Sequence, residues 1–172
     1  MKLKPAWLIL LIILLVWLQL TAFGSASLFG GRINLLLAAV IILINLMDFS
    51  WALIFAIIGG LFLDVYSGLP FGILTLTLFL TAVVVEILFL NFFTNFSFYS
   101  LLLVGLIATL VYNLLFLAII VVIYFLGWSD FLPGWDFLSK FLWQAVTTEL
   151  IMIVAYFIIN RSSRKFRPIF LK

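Results

Sequence analysis

The sequence predicts an all-α integral membrane protein on three observations. Of its 172 residues, 68% are hydrophobic and 9% are charged, whereas a soluble domain has about 25% charged residues. The apolar residues form long continuous runs and do not alternate with polar residues as barrel strands do. Most Lys and Arg residues lie near the two ends of the chain, where they flank apolar runs as orientation signals. Most of the surface is therefore expected to face the lipid bilayer.

Missing residue types exclude several kinds of function. The chain contains no Cys and no His, which excludes disulfides, zinc sites, thiol nucleophiles and imidazole catalysis. It also lacks a phosphate-binding glycine loop and a Ser–His–Asp set. We therefore expect no catalytic residue, no cofactor, no metal and no nucleic-acid partner, and we predict that the protein is not an enzyme.

Six transmembrane helices are predicted within a single membrane domain, 1–172. The first apolar run, 5–23, covers about 28 Å as a helix, close to the thickness of a hydrocarbon core of about 30 Å. It follows two Lys residues as a signal peptide would, but it exceeds the apolar region of a signal peptide, about 7–15 residues, so we expect it to be retained. The predicted helices are 5–23, 33–47, 50–66, 70–91, 97–126 and 137–160.

The division between the second and third helices rests on length, on a polar interruption and on charge. As one helix, the region 33–63 would extend about 46 Å, which is too long for one span. Asp48 and Ser50 interrupt it near its middle. Basic residues at both ends favour the cytoplasm, and this requires an even number of spans. We therefore expect both termini in the cytoplasm and the third helix to run outward. The fifth helix is expected to stop at Gly127.

A stripe of small residues on the third helix leads to a carboxylate. Ala52, Ala56 and Gly60 lie four residues apart, so they share one face on which another helix can approach closely. Asp64 is the next residue on that face. Two structural roles are predicted for it: it caps the next helix, or it pairs with Arg32. The functional alternative is a ligand for an ion or a substrate.

The residues after Asp64 are turn formers. Ser67 bonds local amides, Gly68 and Gly72 permit a tight backbone, and Pro70 suits the first turn of a helix. Because these neighbours are not further ligands, the sequence favours a rigid corner that is structural or docks a partner. The corner is expected to be buried against a helix of this chain or of a partner.

Two further polar residues lie at membrane depth. Glu149 is near the middle of the sixth helix, and Asn113 is in the fifth helix on a stripe with Gly105 and Thr109. Polar groups at this depth usually face the interior of a helix bundle. Glu149 is therefore either a proton-carrying or polar-ligand site, or a protonated acid bonded to a neighbouring helix, for which Asn113 is a suitable partner.

The pattern that joins the third and fourth helices resembles the rod shape-determining protein MreD family. It contains Gly60, Asp64, Ser67, Gly68, Pro70 and Gly72. The resemblance covers the whole chain in length and hydropathy, and this one motif in detail. Glu149 has no counterpart in the family pattern.

The resemblance implies a multi-pass component of the bacterial cytoplasmic (inner) membrane. Its role would be that of a non-catalytic scaffold or regulator of peptidoglycan synthesis in the cell-elongation machinery, which maintains rod shape. The implied direct partner is MreC. The indirect partners are MreB, RodA and a class B penicillin-binding transpeptidase.

The alternative is a substrate-binding subunit of a vitamin transporter. The family fold is similar to such subunits of energy-coupling-factor transporters. They typically carry an Ala-x-x-x-Ala pattern in their first helix for docking the energising module. The first helix here has bulky residues throughout 7–20, which argues against this alternative.

Overall fold

The computed structural model describes residues 13–19, 34–46, 49–92, 98–128, 134 and 136–162, and their regular structure is helical. We number the helices in chain order, and the first, α1, is seen as the helical stretch 13–19. The others are α2 (Leu35–Leu46), α3 (Phe49–Ser67), α4 (Ile73–Phe92), α5 (Phe98–Phe125) and α6 (Asp136–Ser162).

Four of these helices are long and apolar enough to cross a membrane, among the residues described. They are α3, α4, α5 and α6. The helix α2 is equally apolar but has 12 residues, which extend about 18 Å and fall short of a hydrocarbon core of about 30 Å. The all-helical, multi-pass architecture follows from these lengths, and six complete spans stay a prediction.

The helices α2 and α3 are separate and pack side by side. A β carbon on Gly59 of α3 would lie 3.1 Å from Cδ2 of Leu36 in α2. In one continuous helix these residues, 23 positions apart, would be about 35 Å from each other. The chain therefore reverses direction between the end of α2 at Leu46 and the start of α3 at Phe49, the region in which the sequence predicts an interruption. Asp48 itself lies outside the described residues.

The short helix α2 occupies the centre of the bundle. Leu36, Leu37, Val40 and Ile41 are fully buried, because α2 packs against α3, α4, α5 and α6. Its N-terminus is closed by two side chains: Asn34 Oδ1 accepts a hydrogen bond from the Leu37 amide at 3.0 Å, and Gln19 Oε1 of α1 accepts one from the Leu36 amide at 3.1 Å.

Two helix boundaries bear on the predicted turns. The turn after α5 is built on Gly127, the predicted stop, whose φ is +72°. The Gly127 amide donates to the Tyr124 carbonyl, and the Trp128 amide donates to the Ile123 carbonyl, as in a Schellman turn.

The helix α4 begins at Ile73, so Pro70 lies in the preceding turn. The prediction that the helix starts at Pro70 is wrong, and Gly72 precedes its first residue.

Candidate functional site

Asp64 caps the N-terminus of α4 from the preceding helix. Its Oδ1 accepts a hydrogen bond from the Leu74 amide at 2.9 Å, and its Oδ2 accepts one from the Thr75 amide at 3.0 Å. The Thr75 hydroxyl donates to the same Oδ2 at 2.5 Å. The side chain is 3% exposed. Of the two structural roles predicted for Asp64, capping is the one whose hydrogen bonds are present. Arg32 lies outside the described residues.

A carboxylate is well suited to this position. The first amides of a helix have no partner within the helix, and at a buried helix end no water replaces one. The N-terminus also carries a partial positive charge of about half a unit, which favours an anion. Gly72 is in the usual capping position but has no side chain to accept a hydrogen bond. Asp64, eight residues earlier in sequence, supplies the missing acceptor.

The backbones of α3 and α4 approach closely at Gly60. A β carbon at this position would lie 2.6 Å from the Thr75 Cα, a distance at which the two helices would have to move apart. Ala52 and Ala56, on the same stripe, are also fully buried. The small-residue face of α3 therefore brings α4 near enough for the Asp64 carboxylate to reach its first amides.

The turn between α3 and α4 depends on Ser67 and two glycines. The Ser67 hydroxyl donates to the Asp64 carbonyl at 3.1 Å and accepts from the Leu69 amide at 3.2 Å. Gly68 and Gly72 have φ values of +68° and +98°, a region in which other residues are strained. We call residues 64–75 the α3–α4 corner.

Three large apolar side chains project from the outside of this corner. Val65, Tyr66 and Phe71 are 66%, 67% and 69% exposed. We call these three residues the corner surface. Val65 and Tyr66 lie between Asp64 and Ser67 in sequence, and Phe71 precedes Gly72; all three are exposed, whereas Asp64 is buried. The sequence does not distinguish these three residues, because most of the chain is apolar.

Glu149 of α6 lies against α5 at Gly105. A β carbon on Gly105 would overlap Oε1 of Glu149. Both carboxyl oxygens are buried, and they have no hydrogen-bond partner among the residues described. Glu149 therefore contacts the predicted stripe on the fifth helix. The residue of that stripe that it contacts is Gly105 and not Asn113.

Asn113 does not bond to Glu149. Its side-chain amide donates to the Thr109 carbonyl of its own helix at 2.8 Å, and the Thr109 hydroxyl donates to the Gly105 carbonyl at 2.9 Å. The expectation that Asn113 is the partner of Glu149 is therefore wrong. Thr109 and Asn113 both donate along their own helix, and Glu149 receives no hydrogen bond from either of them.

Thr75 is the site residue that the sequence analysis missed. It contributes an amide and a hydroxyl to Asp64, and its Cα defines the close approach at Gly60. Its position in the sequence is the feature that indicates this role. Thr75 lies three residues after Gly72, and the amide three residues after the capping position normally donates to the capping side chain.

Among the described residues, no three His, Cys, Asp or Glu side chains are grouped as a metal site requires.

The fold and these contacts define a multi-pass α-helical membrane protein with a capped corner between α3 and α4. Four described helices have the length and composition of membrane spans. Comparisons with protein-family models, with curated proteins and with solved structures find no match to this chain. Any more specific function is therefore argued from the α3–α4 corner and from the sequence motif that forms it.

Proposed function

We propose that the chain is a non-catalytic membrane scaffold of the MreD kind. It would act in the bacterial cytoplasmic membrane as part of the cell-elongation machinery that builds peptidoglycan. The observation that carries the proposal is the α3–α4 corner. Five of the six residues through which the sequence resembles that family lie in this corner, and the sixth, Gly60, lies on the face of α3 that packs against α4. The corner also presents three exposed apolar side chains.

In this proposal Asp64 positions the corner and the corner surface makes the contact. The carboxylate is 3% exposed and accepts three hydrogen bonds from α4, so it is not available to a partner. Tyr66 and Phe71 are exposed aromatic side chains, the type enriched at the centres of protein interfaces. The partner proposed for this surface is MreC, and through it MreB, RodA and the class B transpeptidase.

The predicted topology places the corner surface on the outer side of the membrane. With cytoplasmic termini, α3 runs outward and ends at Ser67. A partner with an extracytoplasmic domain and one transmembrane helix can reach both the turn and the adjacent ends of α3 and α4. The site therefore suits a protein partner better than a small soluble ligand.

Depletion of the protein in its own bacterium tests this function. We expect rod-shaped cells to become round as the protein is lost, and re-expression of the wild-type chain to restore rods. A matched culture that expresses the chain throughout controls for growth conditions. Cells that keep their rod shape while uptake of a vitamin falls would contradict the proposal and favour the transporter subunit.

A further inference from the structure

Glu149 is the polar group that the corner does not explain. It lies near the middle of α6, within the 138–157 stretch whose composition fits a membrane span. A carboxyl group at this depth is costly unless it is neutral or paired. Its surroundings therefore decide its chemical state.

No described group pairs with Glu149. Its two oxygens are buried and have no hydrogen-bond partner among the described residues. Thr148, its neighbour in the chain, is fully buried with a hydroxyl that also lacks a described partner, so this hydroxyl does not bond to the carboxyl group. Lys140, nine residues earlier on α6, is exposed and lies about 13 Å away along the helix.

The helices packed against α6 offer no charge either. They are α5 and α2. The described residues of α2 and of α1 include no titratable side chain, and α5 carries tyrosines as its only titratable groups. The nearest tyrosine in sequence to Gly105 is Tyr99, six residues or about 9 Å along the helix, and Tyr112 is seven residues away on the other side. A charged Glu149 would therefore have no described counter-charge on any neighbouring helix.

Gly105 provides a seat that fits the carboxyl group. The helix surface at Gly105 has no side chain, and any β carbon there would overlap Oε1 and lie 3.1 Å from Cδ of Glu149. The carboxyl group thus fills a notch in α5 and is part of the contact between the two helices. A neutral acid fits this apolar contact, whereas a carboxylate would favour leaving it for water.

We propose that Glu149 is a proton-binding site inside the membrane, and that the bound proton holds α6 against α5. Loss of the proton creates an unpaired charge in the notch at Gly105. In response, α6 moves away from α5 in the region around Gly105 and Glu149. Proton occupancy is thereby coupled to the separation of the last two helices. This inference is independent of the proposed docking role, because it concerns α5 and α6 and not the corner.

The protonation state can be measured directly, since the chain has two Glu residues, Glu86 and Glu149. The full chain is reconstituted in phosphatidylcholine vesicles with ¹³C at the Glu side-chain carboxyl, and carbon NMR spectra are recorded over a pH series. Glu86→Gln assigns the remaining signal to Glu149. We expect a carboxylic-acid signal for Glu149 at neutral pH that converts to the carboxylate at alkaline pH. A carboxylate signal at neutral pH would overturn the proposal.

The coupling to helix separation needs a second measurement. The chain contains no Cys, so spin labels can be placed at the exposed positions Leu103 of α5 and Val154 of α6 as a cysteine pair. We expect their distance distribution to shift to longer values as the pH rises, and Glu149→Gln to remove this shift. A distribution that stays unchanged through the pH at which the Glu149 signal converts would also overturn the proposal.

Two comparisons make the result specific. A label pair at Phe62 and Leu76, exposed on α3 and α4, should not show the shift that accompanies conversion of the Glu149 signal, because Glu149 does not lie between those helices. Gly105→Ala should displace the carboxyl group from its seat, with the acid signal of Glu149 lost at neutral pH and the α5–α6 distance already long. An unaltered acid signal in Gly105→Ala would contradict the assigned seat.

Discussion

Asp64 is a cap supplied by a different helix from the one that it caps. It accepts both an amide and a hydroxyl hydrogen bond from Thr75 and an amide hydrogen bond from Leu74. Gln19 does the same for α2 by accepting from Leu36. At a buried helix end the first amides have no water to bond with. Caps from neighbouring helices therefore satisfy these amides and also fix how the helices are placed.

Replacing Asp64 should destabilise the protein by an amount that depends on the acceptors left. Asp64→Ala removes every acceptor and leaves buried amides unpaired, for which we expect a loss of about 1–3 kcal/mol in the free energy of unfolding. Asp64→Asn keeps one carbonyl oxygen and should be intermediate. Unfolding in mixed micelles with increasing denaturing detergent measures the difference. An Asp64→Ala protein as stable as the wild type would contradict the capping role.

The sequence predicted the residues of this corner better than it predicted their bonds. The stripe from Ala52 to Gly60 located Asp64 on a packing face, and this follows from helical periodicity alone. The acceptors and donors were harder to assign, because they depend on where α4 begins. With Pro70 placed inside the helix, the amides of Leu74 and Thr75 are too far along α4 to need a cap.

For Glu149 the depth in the membrane is predictable from the sequence, but the residue that it contacts is not. Its depth was clear from its position in an apolar run, but its neighbour on α5 depends on the register between two helices. Gly105 and Asn113 lie on one stripe eight residues apart, about 12 Å along α5. Sequence periodicity alone does not distinguish the two levels. Hydrogen-bonding capacity favours Asn113, whereas the residue in contact with Glu149 is Gly105.

At the level of helices, the adjacent glycines of α3 serve two different contacts. Gly60 faces the backbone of α4 at Thr75, and Gly59 faces the side chain of Leu36 in α2. A backbone has little freedom to move, whereas a leucine side chain can change its rotamer. The same chemical change at the two positions should therefore have different effects.

Gly60→Ala should separate α3 from α4, and Gly59→Ala is its matched control. A methyl group forced against the Thr75 backbone is expected to destabilise the protein by about 1–3 kcal/mol, since α4 must move and the Asp64 hydrogen bonds lengthen. Gly59→Ala should be clearly milder, because Leu36 can adjust. The detergent unfolding midpoints of the two variants measure this. Equal losses would show that the close α3–α4 approach is not the limiting contact.

The central position of α2 was not predictable from composition. All the helices are apolar, so hydrophobicity does not rank them by burial. The structure gives the central place to the shortest of the helices described end to end, whose 12 residues contact four other helices. When longer helices surround a short one, the unpaired backbone groups at its two ends are shielded from lipid. At the N-terminus of α2, two amides are capped by side chains of the protein, the buried Asn34 and the half-buried Gln19.

At the level of the whole molecule, the topology is the prediction on which the docking role depends. Tyr66 and Tyr99 are a matched pair for testing it, since both are exposed tyrosines, 67% and 76%, near opposite ends of α4. We expect Tyr66→Cys to react with a membrane-impermeant maleimide in intact spheroplasts, and Tyr99→Cys to react after the membrane is opened. The chain has no native Cys to interfere. Reversed reactivity would place the corner in the cytoplasm.

The proposed function links the capped α3–α4 corner to a contact with MreC. The most direct measurement is the recovery of MreC with affinity-tagged chain from solubilised membranes, at matched expression, for Tyr66→Ala and Tyr99→Ala. The second variant controls for the loss of an exposed aromatic ring at a membrane interface. We predict that Tyr66→Ala recovers at least tenfold less MreC, which corresponds to about 1.4 kcal/mol of binding free energy, while Tyr99→Ala recovers as much as the wild type. Equal recovery with both variants would contradict docking at the α3–α4 corner.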